Sequence, residues 1–239
     1  MNQIKILVII PSHIRYDGQD DLLQNAIKSV EHPNVTICLA ISFETKYKKE
    51  LVSIMKTYPK ILYKLSPTQK FPLEHIISCI DIIDKYNLVA FCDDDDTFHS
   101  ERIKEILDTT NALNDKNISG IIDGDGHMHE YWAYILKPSV IQDFHQKIVA
   151  SKMTSLLHYE FSDLYFRNYL IKLKTKWCKL DKLYYNYNNK NNNSITFTYH
   201  NIWEKTKSID VNDPDVVYIL YHNFMMSFIS CSIKAIKNY

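Results

Sequence analysis

Four consecutive aspartates, Asp93, Asp94, Asp95 and Asp96, directly follow the apolar run Leu88-Val89-Ala90-Phe91-Cys92. A short apolar run of this kind reads as a buried strand. Carboxylates at the carboxyl end of such a strand stand where open α/β sheets take up their ligands. Four adjacent negative charges repel one another unless a cation compensates them. Hard cations such as Mg²⁺ or Mn²⁺ take oxygen ligands and often share their shell with substrate phosphates. The segment therefore reads as a metal–diphosphate site. A solvated acidic turn is the alternative, but a strand feeds the run and a helix over residues 100–113 follows it.

The chain ahead of the aspartates alternates strand and helix. Residues 4–10 form a strand, and Asp20 and Asp21 supply first-turn acids to a helix carrying Leu22, Leu23, Ala26, Ile27 and Val30 at helical spacing. Residues 35–42 are a second strand, Leu51, Ile54 and Met55 mark a second helix, and residues 61–63 are a third strand. Leu73, Ile76, Ile77, Ile80 and Ile83 line a third helix, and residues 88–92 are the fourth strand. This order predicts an α/β fold with a mainly parallel sheet, right-handed crossovers and helices on both faces.

Beyond the aspartates the pattern changes. Residues 118–122 and 131–136 read as strands, separated by Asp123-Gly124-Asp125-Gly126-His127. Pro138 opens a helix to about residue 148, residues 159–173 form another, and residues 183–187 a short strand. Residues 188–193 are a polar, Asn-rich loop. The apolar stretch 216–236 is interrupted by His222, Asn223, Ser227, Ser230 and Lys234, which argues for a packed terminal helix and against a membrane span. A helix lying on a membrane surface or in a dimer interface is the alternative.

Composition removes several function classes. The formal net charge is +0, so bulk charge makes no case for nucleic acid. The four glycines, Gly18, Gly120, Gly124 and Gly126, cannot build a Gly-x-Gly-x-x-Gly or Walker-type loop, which disfavours ordinary dinucleotide-binding and P-loop proteins. The five cysteines contain no Cys-x-x-Cys pair and cannot all pair, which points to free thiols in a reducing cytoplasm. The first apolar run is too short to span a membrane and ends at Pro11 without a small-residue cleavage site, so neither a signal peptide nor a transmembrane segment is expected.

Two segments together resemble the family 2 glycosyltransferases. Leu7-Val8-Ile9-Ile10-Pro11-Ser12-His13-Ile14-Arg15, followed by Leu22-Leu23, Ala26-Ile27 and Ser29-Val30, is similar to that family's opening strand, Pro-Thr-Tyr-Asn-Arg turn and first helix. His13 and Ile14 stand where the family often has Tyr and Asn. The segment from Phe91 to Ile103 is similar to the family's Asp-x-Asp element. The resemblance covers roughly the first half of the chain. It implies a GT-A fold: a nucleotide-sugar half over about residues 1–97, an acceptor half over about 98–205 and a C-terminal helical segment over about 206–239. It also implies a metal-dependent transfer from a nucleoside diphosphate sugar, UDP-linked first of all, to a hydroxyl on a glycan or glycoconjugate.

The resemblance then assigns roles. Asp95 is the first choice for metal ligand, and Asp93 contacts the ribose or the metal through water. Asp94 or Asp96 supports them, since successive strand residues alternate sides and not all four can face one ion. Pro11, Ser12 and Arg15 follow the first strand and Ser42 and Glu44 the second; the nucleobase is expected between them, with Glu44 reading base or ribose. The segment from Tyr159 to Arg167 resembles the family's Glu-Asp-x-x-Leu-x-x-Arg helix, with Phe161 at its Asp position. Asp163 and Glu160, three residues apart on one helical face, are the candidates to deprotonate the acceptor, Asp163 preferred. His200, beside Trp203, is a candidate late ligand for metal or phosphate. Asp123, Asp125 and His127 form a second polar cluster, read as an acceptor-lining turn ahead of a separate metal site, and Tyr131 and Trp132 either stack on a sugar or pack in the core. A sugar nucleotidyltransferase and an inactive glycan-binding relative are the rival readings.

Overall fold

The computed structural model describes residues 4–14, 19–110, 117–124, 130–158 and 162–188. The chain divides into a compact unit, Met1–Tyr187, and a remainder from Asn188 onward that lies outside the described residues save for Asn188 itself. The Asn-rich loop beyond Asn188, His200, Trp203 and the C-terminal helix expected over 216–236 therefore lie outside the described residues, as do Arg15, Asp125, His127 and Glu160.

The first half consists of β1 (Ile6–Ile14), α1 (Gln19–Ser29), β2 (Val35–Phe43), α2 (Lys48–Thr57), β3 (Leu62–Ser66), α3 (Pro72–Ile77) and β4 (Leu88–Phe91). The second half adds β5 (Thr97–Phe98), α4 (Arg102–Thr109), β6 (Ile118–Ile122), β7 (Tyr134–Leu136), α5 (Pro138–Ala150), α6 (Ser162–Lys172), β8 (Lys176–Lys179) and β9 (Tyr185–Asn186). Seven strands form one sheet in the order β3-β2-β1-β4-β7-β6-β8. Only β7 runs against its neighbours; all other pairs in that sheet are parallel. The expected α/β architecture with a mostly parallel central sheet flanked by helices is borne out.

Burial explains the order of strands. Every residue of β4 is enclosed, as are Ile6 through Ile10 of β1 and Cys38 through Ile41 of β2. Parallel strands covered on both faces read as continuous apolar runs, and these three occupy the sheet's interior. Leu23, Ala26 and Ile27 of α1 are enclosed on its inner face. The aspartates therefore leave the middle of the sheet, beside β1.

Four elements depart from the sequence expectation. Helix α3 stops at Ile77, although the apolar period runs on to Ile83. The Ser78 hydroxyl and the Cys79 thiol both bond the His75 carbonyl, and the following backbone amides reach back only three residues. Such side-chain bonds to a carbonyl compete with the helix's own backbone ladder. The expected strand over 131–136 opens as a 3₁₀ turn, Tyr131–Ala133, before β7. Strands β5 and β8 carry too little periodicity to be read from sequence. Gly120 allows β6 to approach β7, since a Cβ there would meet the Ile135 carbonyl oxygen at 2.1 Å.

Candidate functional site

The run Asp93 to Asp96 turns directly out of β4, with the Asp96 amide bonded to the Asp93 carbonyl at 3.2 Å. Each carboxylate has its own surroundings. Asp94 Oδ2 accepts from the Ser12 hydroxyl at 2.6 Å and from Gln19 Nε2 at 2.8 Å. Gln19 also donates to the His13 carbonyl at 2.9 Å. Asp94 thus ties the acidic run to the end of β1 and the start of α1. Asp96 is enclosed, whereas Asp93, Asp94 and Asp95 are half-buried.

Asp93 is held from the other side by two tyrosines. The Tyr131 hydroxyl donates to Asp93 Oδ1, and the Asp93 amide donates to the Tyr185 hydroxyl at 2.9 Å. Removal from water raises the Asp93 carboxyl well above the usual carboxylate range; Asp96, Asp95 and Asp94 add to the rise and the Tyr131 hydrogen bond opposes it. Burial and then Asp93, Asp163 and Asp96 push Tyr131 upward, so it stays a proton donor. The same influence places Asp163, half-buried in the first turn of α6, in the electrostatic surroundings of Tyr131. Tyr131 therefore links the aspartate run to the helix expected to carry the acid–base group.

Beneath this layer is an aromatic and ionic support. Trp132 stacks on Tyr185 with ring centroids 4.1 Å apart and planes 11° from parallel, and the indole is enclosed. Arg102 lies over the Phe98 ring at 4.0 Å and the Tyr185 ring at 4.9 Å. Its Nη2 donates to the Trp132 carbonyl at 2.8 Å, and its Nε pairs with Asp123 Oδ2 at 3.0 Å. Asp123 Oδ1 accepts from the Tyr184 amide at 2.8 Å, so Asp123 is part of the scaffold beneath the site. Arg167 bonds Glu130 at 2.9 Å, joining α6 to the residue before Tyr131.

The residues expected around a nucleobase lie at adjacent strand ends. Pro11, Ser12 and His13 of β1 stand in register with Ala40, Ile41 and Ser42 of β2. Pro11 and Ser12 are enclosed, and Ser42 is wholly so. The Ser42 hydroxyl contacts His13 Nδ1 at 2.9 Å and His75 Nε2 at 3.1 Å and accepts from the Lys70 amide at 3.2 Å. Glu44, just past β2, is exposed and 3.1 Å from Lys46. Gln19, Tyr131 as a hydroxyl donor, Tyr185 and His75 escaped the sequence reading. Each acts through a contact made across the fold, and no local spacing announces it.

Asp93 and Asp95, two half-buried carboxylates just past the end of a central strand, are of the oxygen-donor type that a hard divalent cation would need. Among the described residues no three His, Cys, Asp or Glu side chains form a ready-made cage. A cation there would complete its shell with substrate phosphate and water, as Mg²⁺ commonly does.

No family model and no curated protein matches the chain. Solved structures do match it in fold. A crystal structure of S. aureus TarS residues 1–349 has a TM-score of 0.52 at 14% identity and covers 76% of this chain and 60% of that one. The same fragment in complex with UDP gives 0.51 at 13% identity, covering 83% and 63%, and in complex with UDP-GlcNAc 0.50 at 14%, covering 76% and 58%. The chain thus spans about three-fifths of the length of these fragments. At such identities the likeness establishes a shared fold.

Proposed function

We propose that this chain is a glycosyltransferase that moves a sugar from a nucleoside diphosphate sugar, UDP-linked first of all, to a hydroxyl of a glycan or glycoconjugate. The observation that carries this reading is the placement of Asp93 and Asp94. Both follow the central strand of a mostly parallel sheet, one tied to β1 through Ser12, the other bonded to Tyr131, which has Asp163 in its surroundings. The fold shared with a protein crystallised with UDP and UDP-GlcNAc supports the same ligand class.

In this reading Asp95 and Asp93 hold Mn²⁺ or Mg²⁺, with His200 a further candidate. When bound, the cation would neutralise charge developing on the leaving diphosphate. Ser12 and Gln19 orient Asp94, and Tyr131 and Tyr185 fix Asp93 in place. Pro11, Ser12, Arg15, Ser42 and Glu44 surround the nucleoside. Asp163, or Glu160 three residues earlier in the sequence, takes the proton of the acceptor hydroxyl, and the sugar carbon inverts.

A screen of UDP-, GDP- and dTDP-sugars with Mn²⁺, read by release of the nucleoside diphosphate, tests the proposal. Release that depends on metal and on an acceptor supports transfer. Pyrophosphate release would instead mark a nucleotidyltransferase, and no turnover of any donor would refute the assignment.

A further inference from the structure

We infer that the outward face of α2 is a docking surface for a membrane that carries anionic phospholipid. It stands or falls apart from the transferase reading, since its test alters no residue of the proposed donor site. The chain as a whole has a formal net charge of +0. Residues 44–60 depart from that balance, with five lysines against two glutamates. The two acids offset little of the outer charge. Glu44 is already paired with Lys46 at 3.1 Å, and one carboxylate oxygen of Glu50 is enclosed.

Lys49, Val52, Ser53 and Lys56 share one side of α2, because helical residues three and four apart are neighbours. These four and Lys48 are exposed, whereas Leu51 and Ile54 on the opposite side are enclosed. Lys46, Lys48, Lys49 and Lys56 line one open depression of about 620 Å³ together with Val52, and no acidic side chain lines it. Among the described residues Lys48, Lys49 and Lys56 pair with no acid. Lys48 and Lys49 also open the helix, where the macrodipole disfavours a cation. Local rules of this kind are broken chiefly at functional sites. An anion at that helix end gains from the lysines and from the dipole alike.

Clusters of roughly four or more lysines on a helix face bind anionic lipid headgroups. Two features favour lipid over nucleic acid. Val52 stands exposed among the lysines, and an apolar side chain gains from lipid but not from a phosphate backbone. The face carries no arginine and no exposed aromatic ring, the groups that grip phosphate in a fork and stack on bases. The contact is peripheral, since among the described residues no helix is long and apolar enough to cross a membrane.

Sedimentation of the full chain with vesicles tests the inference. Wild type should bind vesicles of phosphatidylcholine with ~30% phosphatidylglycerol and not those of phosphatidylcholine alone. Raising salt from ~0.05 M to ~0.3 M should release most of it, because the attraction is screened. The triple variant Lys48→Gln, Lys49→Gln, Lys56→Gln should bind ~100-fold more weakly and melt no lower than wild type, since all three side chains are exposed. The same three positions changed to Arg should keep the binding, and Val52→Ser should weaken it by a smaller factor. Failure of wild type to bind the anionic vesicles overturns the inference. Equal binding by wild type and the Gln variant also overturns it, by placing the contact elsewhere in the chain. Binding of a mixed-sequence RNA duplex as tightly as the anionic vesicles, lost in the same variant, would make the face a nucleic-acid surface and overturn the lipid assignment.

Discussion

Arg102 and Asp123 form an ion pair at 3.0 Å with both side chains wholly enclosed. The pair joins α4, which follows the aspartates, to the end of β6, and Arg102 also carries the Trp132 carbonyl and the face of Tyr185. Taking both charges out of water is costly, and removing one partner strands the other. Asp123→Ala should therefore destabilise the fold by ~3–5 kcal/mol. Urea denaturation measures this, and a wild-type midpoint for the variant would contradict it. The double change Arg102→Met with Asp123→Leu should recover part of the loss, since it leaves no buried charge unpaired.

His75 makes stability depend on acid. In the unfolded chain it protonates near the ordinary 6.5, whereas in the fold it is held down to about 3. Between these values the unfolded state binds the extra proton, so stability is present above pH 6.5 and falls as pH drops towards 3. From pH 7 to pH 5 the loss from this group is about 2 kcal/mol. His75→Leu should show a correspondingly shallower fall over that interval. Parallel denaturation series at the two pH values decide it, and identical slopes for both proteins would exclude His75 as the source.

The fold was legible where burial is continuous. The run 88–92 is enclosed from both sides, and an unbroken apolar run followed by carboxylates has few other interpretations. Helix α3 was misjudged in length because Ser78 and Cys79 turn on the His75 carbonyl, a contest that apolar spacing does not record. Strand β9 has two residues and exists through its pairing with β5. The site divides in the same way. The aspartates announced themselves by their position. Their partners could not, since Ser12 and Asp94 are 82 residues apart and Tyr131 meets Asp93 only after β7 is placed against β4. Ser42 was expected at the nucleoside and is at that strand end, but fully enclosed, a burial that no local spacing records.

Asp95 is expected to be the principal metal ligand. Asp95→Ala should abolish Mn²⁺-dependent UDP binding while leaving the fold intact. Without metal the variant should melt no lower than wild type, because one of four mutually repelling carboxylates is gone. Calorimetry and thermal melts, each with and without Mn²⁺ and UDP, measure both effects. A Mn²⁺- and UDP-dependent stabilisation equal to that of wild type would remove Asp95 from the metal shell.

Asp163 is expected to act on the acceptor. It opens α6, and its charge acts on Tyr131, the donor to Asp93. Asp163→Asn is nearly isosteric and is not among the proposed metal and diphosphate ligands, so nucleotide and metal binding should persist. Transfer should fall by the ~10²–10⁴-fold that accompanies loss of general base catalysis. Glu160→Gln should fall less, through poorer orientation of the acceptor. The two variants assayed side by side, with UDP affinity as the internal control, separate the roles. An inactive Glu160→Gln beside a normal Asp163→Asn would reverse the assignment. Normal turnover by both would take these two carboxylates out of the chemistry and point to transfer with retention at the sugar carbon.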